Sequence, residues 1–253
     1  MLSIERKMAI LDILRADKSA SVSKLAQALY SSEATIRRDL DKLGQEGLIK
    51  RIFGGAVLLE GLSSEIPLYV RESEQQNQKN AIGMAAVEMV ADGNTLIIDS
   101  SSTAYAMTKF ISSKKNLNII TNGAKTAITL GEILHTNTYC TGGRLRENSL
   151  SYVGKTANSF IREHHADILF FSCRGVVLED GLYEASVEEA ELRQVMINCS
   201  DKRVLLCDNT KIGKYAFHRI CELSDIDVII TNSPIEESAS SYLEEQGIVV
   251  TVV

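Results

Sequence analysis

Apolar residues recur at helical spacing three times near the start of the chain. Ile10, Ile13 and Leu14 fall on one face of a helix that Ser3 can cap. Val22, Leu25 and Leu29 mark a second helix behind Ser21. After Tyr30-Ser31-Ser32, with Ser31 or Ser32 as the cap, Ile36, Leu40 and Leu43 define a third. At about 100° per residue this third helix turns Ala34, Arg38, Asp41 and Lys42 outward, with Thr35 and Arg37 on the flanks. Next, LIKRIF–GG–AVLL reads as two short strands around a two-glycine type I′ turn at Gly54-Gly55. Three helices and a hairpin make a winged helix-turn-helix.

The pattern then changes. The polar stretch EGLSSEIP over 60–67 sets the junction, giving a first domain over 1–58, a linker over 59–75 and a second domain over 76–253. RESEQQNQKN opens a polar helix that becomes amphipathic through Ile82, Ala86, Met89 and Val90. It serves as a connecting helix, as part of a dimer contact or as a packing helix of the second domain. Beyond it TLIID, LNIIT, TYC, DILFFSC, RVLLCD, DVIIT and IVVTVV read as buried strands, with helix-like stretches such as KTAITLGEILH and VEEAELRQVMIN between most of them. Such alternation predicts a Rossmann-like, mostly parallel α/β sheet covered on both faces. Asp180-Gly181 in VLEDGLYE signals an added hairpin.

Composition is that of an ordinary globular protein, 45% hydrophobic and 24% charged over 253 residues. No apolar run approaches the roughly 20 residues that span a bilayer, and the opening MLSIERKMAILDILRADK lacks a signal-peptide pattern. Five scattered cysteines without CxxC spacing read as free thiols, which suits a reducing cytoplasm. Charge changes the picture more. The chain carries −6 overall, yet residues 1–56 hold ten Lys and Arg against seven Asp and Glu, a local balance of +3. A basic module on an acidic body points to a polyanion partner for the first domain alone.

Duplex DNA fits that module. A helix enters the major groove, arginine bonds guanine edges, and hydroxyls reach phosphates or bases. The DNA-facing candidates are Ser32, Ala34, Thr35, Arg37, Arg38 and Lys42 on the third helix, with Lys50 and Arg51 on the wing. In the second domain the informative residues sit just after the strands, where open parallel sheets bind ligands. Asp99-Ser100-Ser101-Ser102-Thr103, Asn122-Gly123, Thr141-Gly142-Gly143 and Asn209-Thr210-Lys211 combine hydroxyls, glycine backbone and a cation. Together they suit a phosphorylated small molecule, with Lys211 as the point charge and Asp99 accepting from sugar hydroxyls. The effector candidates are Asp99, Ser100, Ser101, Ser102, Thr103, Asn122, Gly142, Gly143, Arg174 and Lys211.

These residues also carry a resemblance. Arg6, Ile10, Leu14, Ser32 and the string Thr35-Ile36-Arg37-Arg38-Asp39-Leu40, followed by the wing Arg51-Ile52-Phe53-Gly54-Gly55-Ala56, resemble the DNA-binding signature of DeoR-type bacterial transcriptional regulators. Asp99 to Thr103, Thr121-Asn122, Gly142-Gly143, Gly154 and DNTKIG over 208–213 are similar to the sensor motifs of the same family. The resemblance implies a ribose-5-phosphate-isomerase-like sensor domain that responds to sugar phosphates, a recognition role for the third helix, and an internal orienting role for Asp39. The chain departs from the family pattern at Ser101 and Ser102, which replace the usual glycine and threonine, and in DNTKIG, where the family has DSSKFG. Arg174 also departs, and it marks either a more anionic effector or a surface salt bridge.

The reading is therefore a repressor of a sugar operon, acting as a homo-oligomer (dimer or tetramer) on double-stranded operator DNA and controlled by a phosphorylated sugar. The alternative is an isomerase-like enzyme with an accessory DNA-binding module, using Asp99, Asp208, Glu184 or Lys211 for proton transfer. No catalytic residue, cofactor, metal or membrane partner is expected. His135, His164, His165 and His218 lie off the candidate loops, and the adjacent pair His164-His165 points to different helix faces.

Overall fold

Ile10, Leu11 and Leu14 meet Leu25, Ile36, Leu40 and Leu43 in one buried cluster. A computed structural model of the chain describes residues 2–58, 66–235 and 237–253. The chain divides into two compact units, Met1–Val70 and Arg71–Val253. Residues 59–65, which hold most of the expected junction, lie outside the described residues.

The first unit runs α1 (Ser3–Asp17), β1 (Ser19–Ser21), α2 (Val22–Ala28), α3 (Glu33–Gln45), β2 (Ile49–Ile52) and β3 (Gly55–Leu58). Ser21 and Ser32 cap α2 and α3, their hydroxyls accepting from Lys24 N at 3.1 Å and Thr35 N at 3.2 Å. Ser3 does not cap α1. Leu2 occupies that position, its N–H donating to Glu5 Oε2 at 2.8 Å, and the Ser3 hydroxyl reaches Asp39 at 3.5 Å instead. A carboxylate one turn on is the stronger acceptor.

Two features of the wing differ from the sequence reading. Strand β1, too short and polar to give a signal, pairs antiparallel with β3. The turn also lies one residue earlier than its two glycines suggest. Ile52 pairs with Gly55, so Phe53 and Gly54 form the tip. Of these only Gly54 has positive φ, at +76°, whereas a type I′ turn needs two such residues. Gly55 is needed for space, because a Cβ there would lie 2.2 Å from Ala20 O.

The polar helix expected over RESEQQNQKN is broken into α4 (Leu68–Ser73) and α5 (Gln76–Glu88). Gln75 between them adopts φ +53°. The buried Lys79 ammonium donates to Arg71 O and, at 2.8 Å, to Glu74 O. It thereby satisfies carbonyls that a continuous helix would use.

The second unit continues with β4 (Thr95–Ile98), α6 (Ser102–Tyr105), β5 (Leu117–Thr121), α7 (Ala124–Gly131), β6 (Thr136–Cys140), β7 (Arg144–Leu145), β8 (Tyr152–Val153) and α8 (Lys155–Arg162). Then come β9 (Ala166–Phe171), β10 (Gly175–Val177), β11 (Gly181–Glu184), α9 (Val187–Asn198), β12 (Ser200–Leu206), β13 (His218–Glu222), β14 (Val228–Thr231), α10 (Glu237–Glu245) and β15 (Val249–Val252). All seven apolar runs enter one parallel sheet in the order β15-β14-β12-β9-β4-β5-β6. Alternate residues feed opposite faces. Leu96, Ile98 and Phe170 pack with Ile82 and Ala86 of α5, while Ile97, Leu169 and Phe171 pack with Ile161 of α8 and Met196 of α9. The outer strands β6 and β15 are largely exposed, because an edge strand has neighbours on one side only. The Asp180-Gly181 hairpin is β10–β11, extended by β13 into a small antiparallel sheet.

From β4 the chain moves one way through β5 and β6, then crosses back to place β9 on the other flank of β4. The order of strands reverses between β4 and β9. That reversal opens a crevice at their carboxyl ends, the place where such sheets hold ligands.

Candidate functional site

On the first unit, Ile36, Asp39, Leu40 and Leu43 are the buried side of α3. Ser32, Ala34, Arg37, Arg38 and Lys42 are exposed, as are Lys50 and Arg51 on the wing, with Thr35 half-buried beside them. Their charges are used differently. Arg37 pairs with Glu33 at 2.8 Å, and Arg51 reaches both Arg37 O at 3.1 Å and Asp41 Oδ1 at 2.9 Å. Arg38, Lys42 and Lys50 have no ion pair among the described residues, which leaves three cations of this face uncompensated. Asp39 lies beneath them, bonded to Arg6 at 2.5 Å and almost out of solvent. It holds α3 to α1.

In the second unit the crevice between β4 and β9 is organised by one ammonium. Lys211 Nζ donates to Ser172 Oγ at 2.7 Å and Thr103 Oγ1 at 3.3 Å, and lies 3.6 Å from Asp208 Oδ2. It thus ties together residues that follow β4, β9 and β12. Burial works against the Asp208 charge, but Lys211 and the Thr210 hydroxyl overcome it and lower its pKa.

The loop after β4 is built from within. Ser101 caps α6, its hydroxyl accepting from Ala104 N at 3.1 Å. Ser100 N donates to Asn122 Oδ1 at 3.0 Å, and the Asn122 amide returns bonds to Ser100 Oγ and Tyr152 O, both at 3.3 Å. Asp99 is buried, accepting from Ser101 N at 3.0 Å, Ser172 N at 3.4 Å and Arg193 Nε at 3.0 Å. It shapes the loop from below with both oxygens engaged, a different use from the sugar contact expected of it. The amides of Ser102 and Thr103 belong to the first turn of α6, before intrahelical bonding begins. Gly142 and Gly143 both take left-handed φ, +63° and +109°, where the chain leaves β6. Arg174 is half-buried, and its side chain has no ion pair among the described residues.

Several residues of this layer gave no signal as a motif. Ser172 follows an apolar strand. Arg193 projects from α9 into a buried group of carboxylates, meeting Glu184 at 3.0 Å and Glu189 at 3.2 Å besides Asp99. Glu189 also accepts from the Ser151 hydroxyl at 2.6 Å and Arg146 at 2.7 Å. Burial alone would raise its carboxyl, yet Arg193, Ser151 and Arg146 bring it down to about 2. Lys79 shows the opposite balance. Burial, reinforced by Lys211, lowers it to about 8 against the pull of Asp208. Burial pushes the Cys207 thiol up to about 12 and the Cys173 thiol well above its ordinary value, which leaves these two unreactive.

A recognition helix with outward cations and a wing defines a DNA-binding transcriptional regulator, and the second unit adds a cluster of hydroxyls around Lys211 where the strand order reverses. Residues 6–61 match the DeoR-like helix-turn-helix domain and residues 74–233 match the DeoR C terminal sensor domain. The chain belongs to the DeoR family. It is 35% identical over 253 residues to the uncharacterized HTH-type transcriptional regulator YulB of Bacillus subtilis (strain 168), covering all of this chain and 98% of that one. It is 29% identical over 245 residues to the HTH-type transcriptional repressor GlcR of the same organism, covering 96% and 94%. Among solved structures, ribose 5-phosphate isomerase A from Neisseria gonorrhoeae aligns at 14% identity and a TM-score of 0.42 over 56% of each chain.

Proposed function

We propose that the chain represses an operon for carbohydrate use, and that a phosphorylated sugar seated between β4 and β9 sets its affinity for operator DNA. The observation that carries this reading is Lys211, an ammonium held by hydroxyls at the point where the strand order reverses. Arg174, without an ion pair among the described residues, and the left-handed Gly142-Gly143 turn support a second anionic group or a hydroxyl-rich body on the ligand. The relative named as a repressor supports the sign of the regulation. The carboxylates near the crevice favour binding over proton transfer, since Asp99 serves Arg193 and two amides while Glu184 serves Arg193 and Ala185 N. A symmetric oligomer in the cytoplasm completes the reading, because two-fold proteins read palindromic operators.

A thermal-shift screen of sugar phosphates tests it. A ligand at one hundred times its Kd stabilises the folded chain by about 2.7 kcal/mol. Lys211→Ala is expected to lose that shift, together with the response of DNA binding to the sugar, while the ligand-free protein still binds DNA. A variant that keeps both responses places the phosphate elsewhere.

A further inference from the structure

We propose that Phe53 is a DNA contact, an apolar wedge that the wing inserts between base pairs in the minor groove next to the site read by α3. The proposal rests on the DNA-binding role of the first unit. Phe53 is wholly exposed at the end of the hairpin, and Ile52 beside it is also exposed. A large aromatic held fully in water has no role in the fold of its own unit.

The tip that carries it is fixed in place. Gly54 O accepts from Val22 N at 2.8 Å, at the start of α2. Gly55 brings β3 against the Ala20 carbonyl too closely for any side chain. Arg51, two residues before the tip, hooks onto the Arg37 carbonyl of α3. Phe53 therefore stands at a set position relative to the helix that carries Arg38 and Lys42.

Its surroundings identify the partner. Lys50 and Arg51 both precede the tip on β2, where Arg51 is paired with Asp41 and Lys50 has no ion pair among the described residues. An uncompensated cation on the strand that leads to an exposed apolar tip suits a polyanion with an apolar interior, which is a stacked duplex. Wedges of this kind unstack one base step, most readily a flexible pyrimidine–purine step, and the protein regains the cost through a closer wrap.

The chain contains no tryptophan, so Phe53→Trp places a single indole at the tip. The experiment uses the full chain and duplexes recovered from a random pool by the wild-type protein. Insertion predicts that the indole emission is quenched and shielded from acrylamide when the duplex is added. Phe53→Ala is expected to weaken binding about five- to one-hundred-fold, as for loss of a base-stacking aromatic. It should leave the slope of affinity against salt unchanged, because an apolar side chain displaces no counterion. Its melting temperature should match the wild type. Unaltered indole emission on saturating DNA, with Phe53→Ala binding within about twofold, overturns the proposal. So does an indole that becomes shielded at high protein concentration without DNA, which makes the tip a contact between copies of the chain. Failure of the wild type to recover any duplex would instead remove the DNA-binding reading itself.

Discussion

Arg193 Nε donates to Asp99 Oδ2 at 3.0 Å, with both groups out of solvent. The pair joins the middle of α9 to the loop that follows β4. Through the Ser101 and Ser172 amides, Asp99 sets the course of the backbone on both sides of the crevice. Burial alone would make the Arg193 charge harder to hold, but Glu184, Asp99 and Glu189 outweigh it and raise its pKa.

Removing that arginine strands three buried carboxylates. Arg193→Met is expected to destabilise the second unit by about 3–5 kcal/mol. Hydrogen exchange would show the loss in α9 and the loops after β4 and β9, with the first unit unchanged. Arg193→Lys keeps the charge but not the planar fork, and should recover part of the stability.

Acid should expose the same network. The folded chain holds Glu189 at about 2, whereas an ordinary glutamate titrates near 4.5. Below about pH 4.5 the unfolded chain takes up a proton that the folded chain refuses. The stabilisation, on the order of 3 kcal/mol, is complete above that pH and disappears as pH falls through 2. The stability gap between wild type and Glu189→Gln should close across this window in denaturant titrations. A gap that is flat from pH 5 to 2 means that Glu189 is not held as a charged group.

Lys79 makes a prediction at the other end of the scale. Its folded pKa of about 8 lies below the ordinary 10.5, so between those values the unfolded chain carries the extra proton and this group's contribution to stability rises with pH. A phosphate dianion beside Lys211 favours the charged ammonium and lifts the pKa of Lys79. Binding of a sugar phosphate identified by thermal shift should therefore take up a fraction of a proton near pH 8.5. Calorimetry in buffers of different ionisation enthalpy reads this directly, and Lys79→Gln should abolish it.

The uncompensated cations of α3 and the wing separate by kind. Arg38→Ala should relax sequence preference, at a cost of about 1–3 kcal/mol for the preferred duplex. Lys50→Ala should weaken all duplexes alike and reduce the salt slope by about one. Equal losses on every sequence for Arg38→Ala would move base reading to another residue.

The strands and the exposed face of α3 were legible because their signals are local. Seven aliphatic runs name the sheet, Ser21 and Ser32 name two caps, and outward arginines on a periodic helix name a surface. The interior of the crevice was harder to read. Lys79 lies on the apolar stripe of Ile82, Gly83 and Ala86, and Arg193 lies on that of Ala190 and Ile197. A cation at a core position is the trace such residues leave in a sequence, and i,i+4 spacing reaches Glu189 from Arg193, but Asp99 lies 94 residues away. No spacing rule finds that pair. The wing was misplaced by one residue for a similar reason, since the demand on Gly55 comes from Ala20 and not from its own turn.

That interlock has a thermodynamic consequence. A head whose hairpin, capped helices and Arg6–Asp39 clasp are already set reaches the duplex without having to order itself, so little conformational entropy is spent on docking. Its affinity is then governed by shape and charge present before the encounter. In the symmetric oligomer proposed above, a sugar-phosphate signal has little to gain by softening one such rigid reader, and more to gain by changing how two of them are spaced.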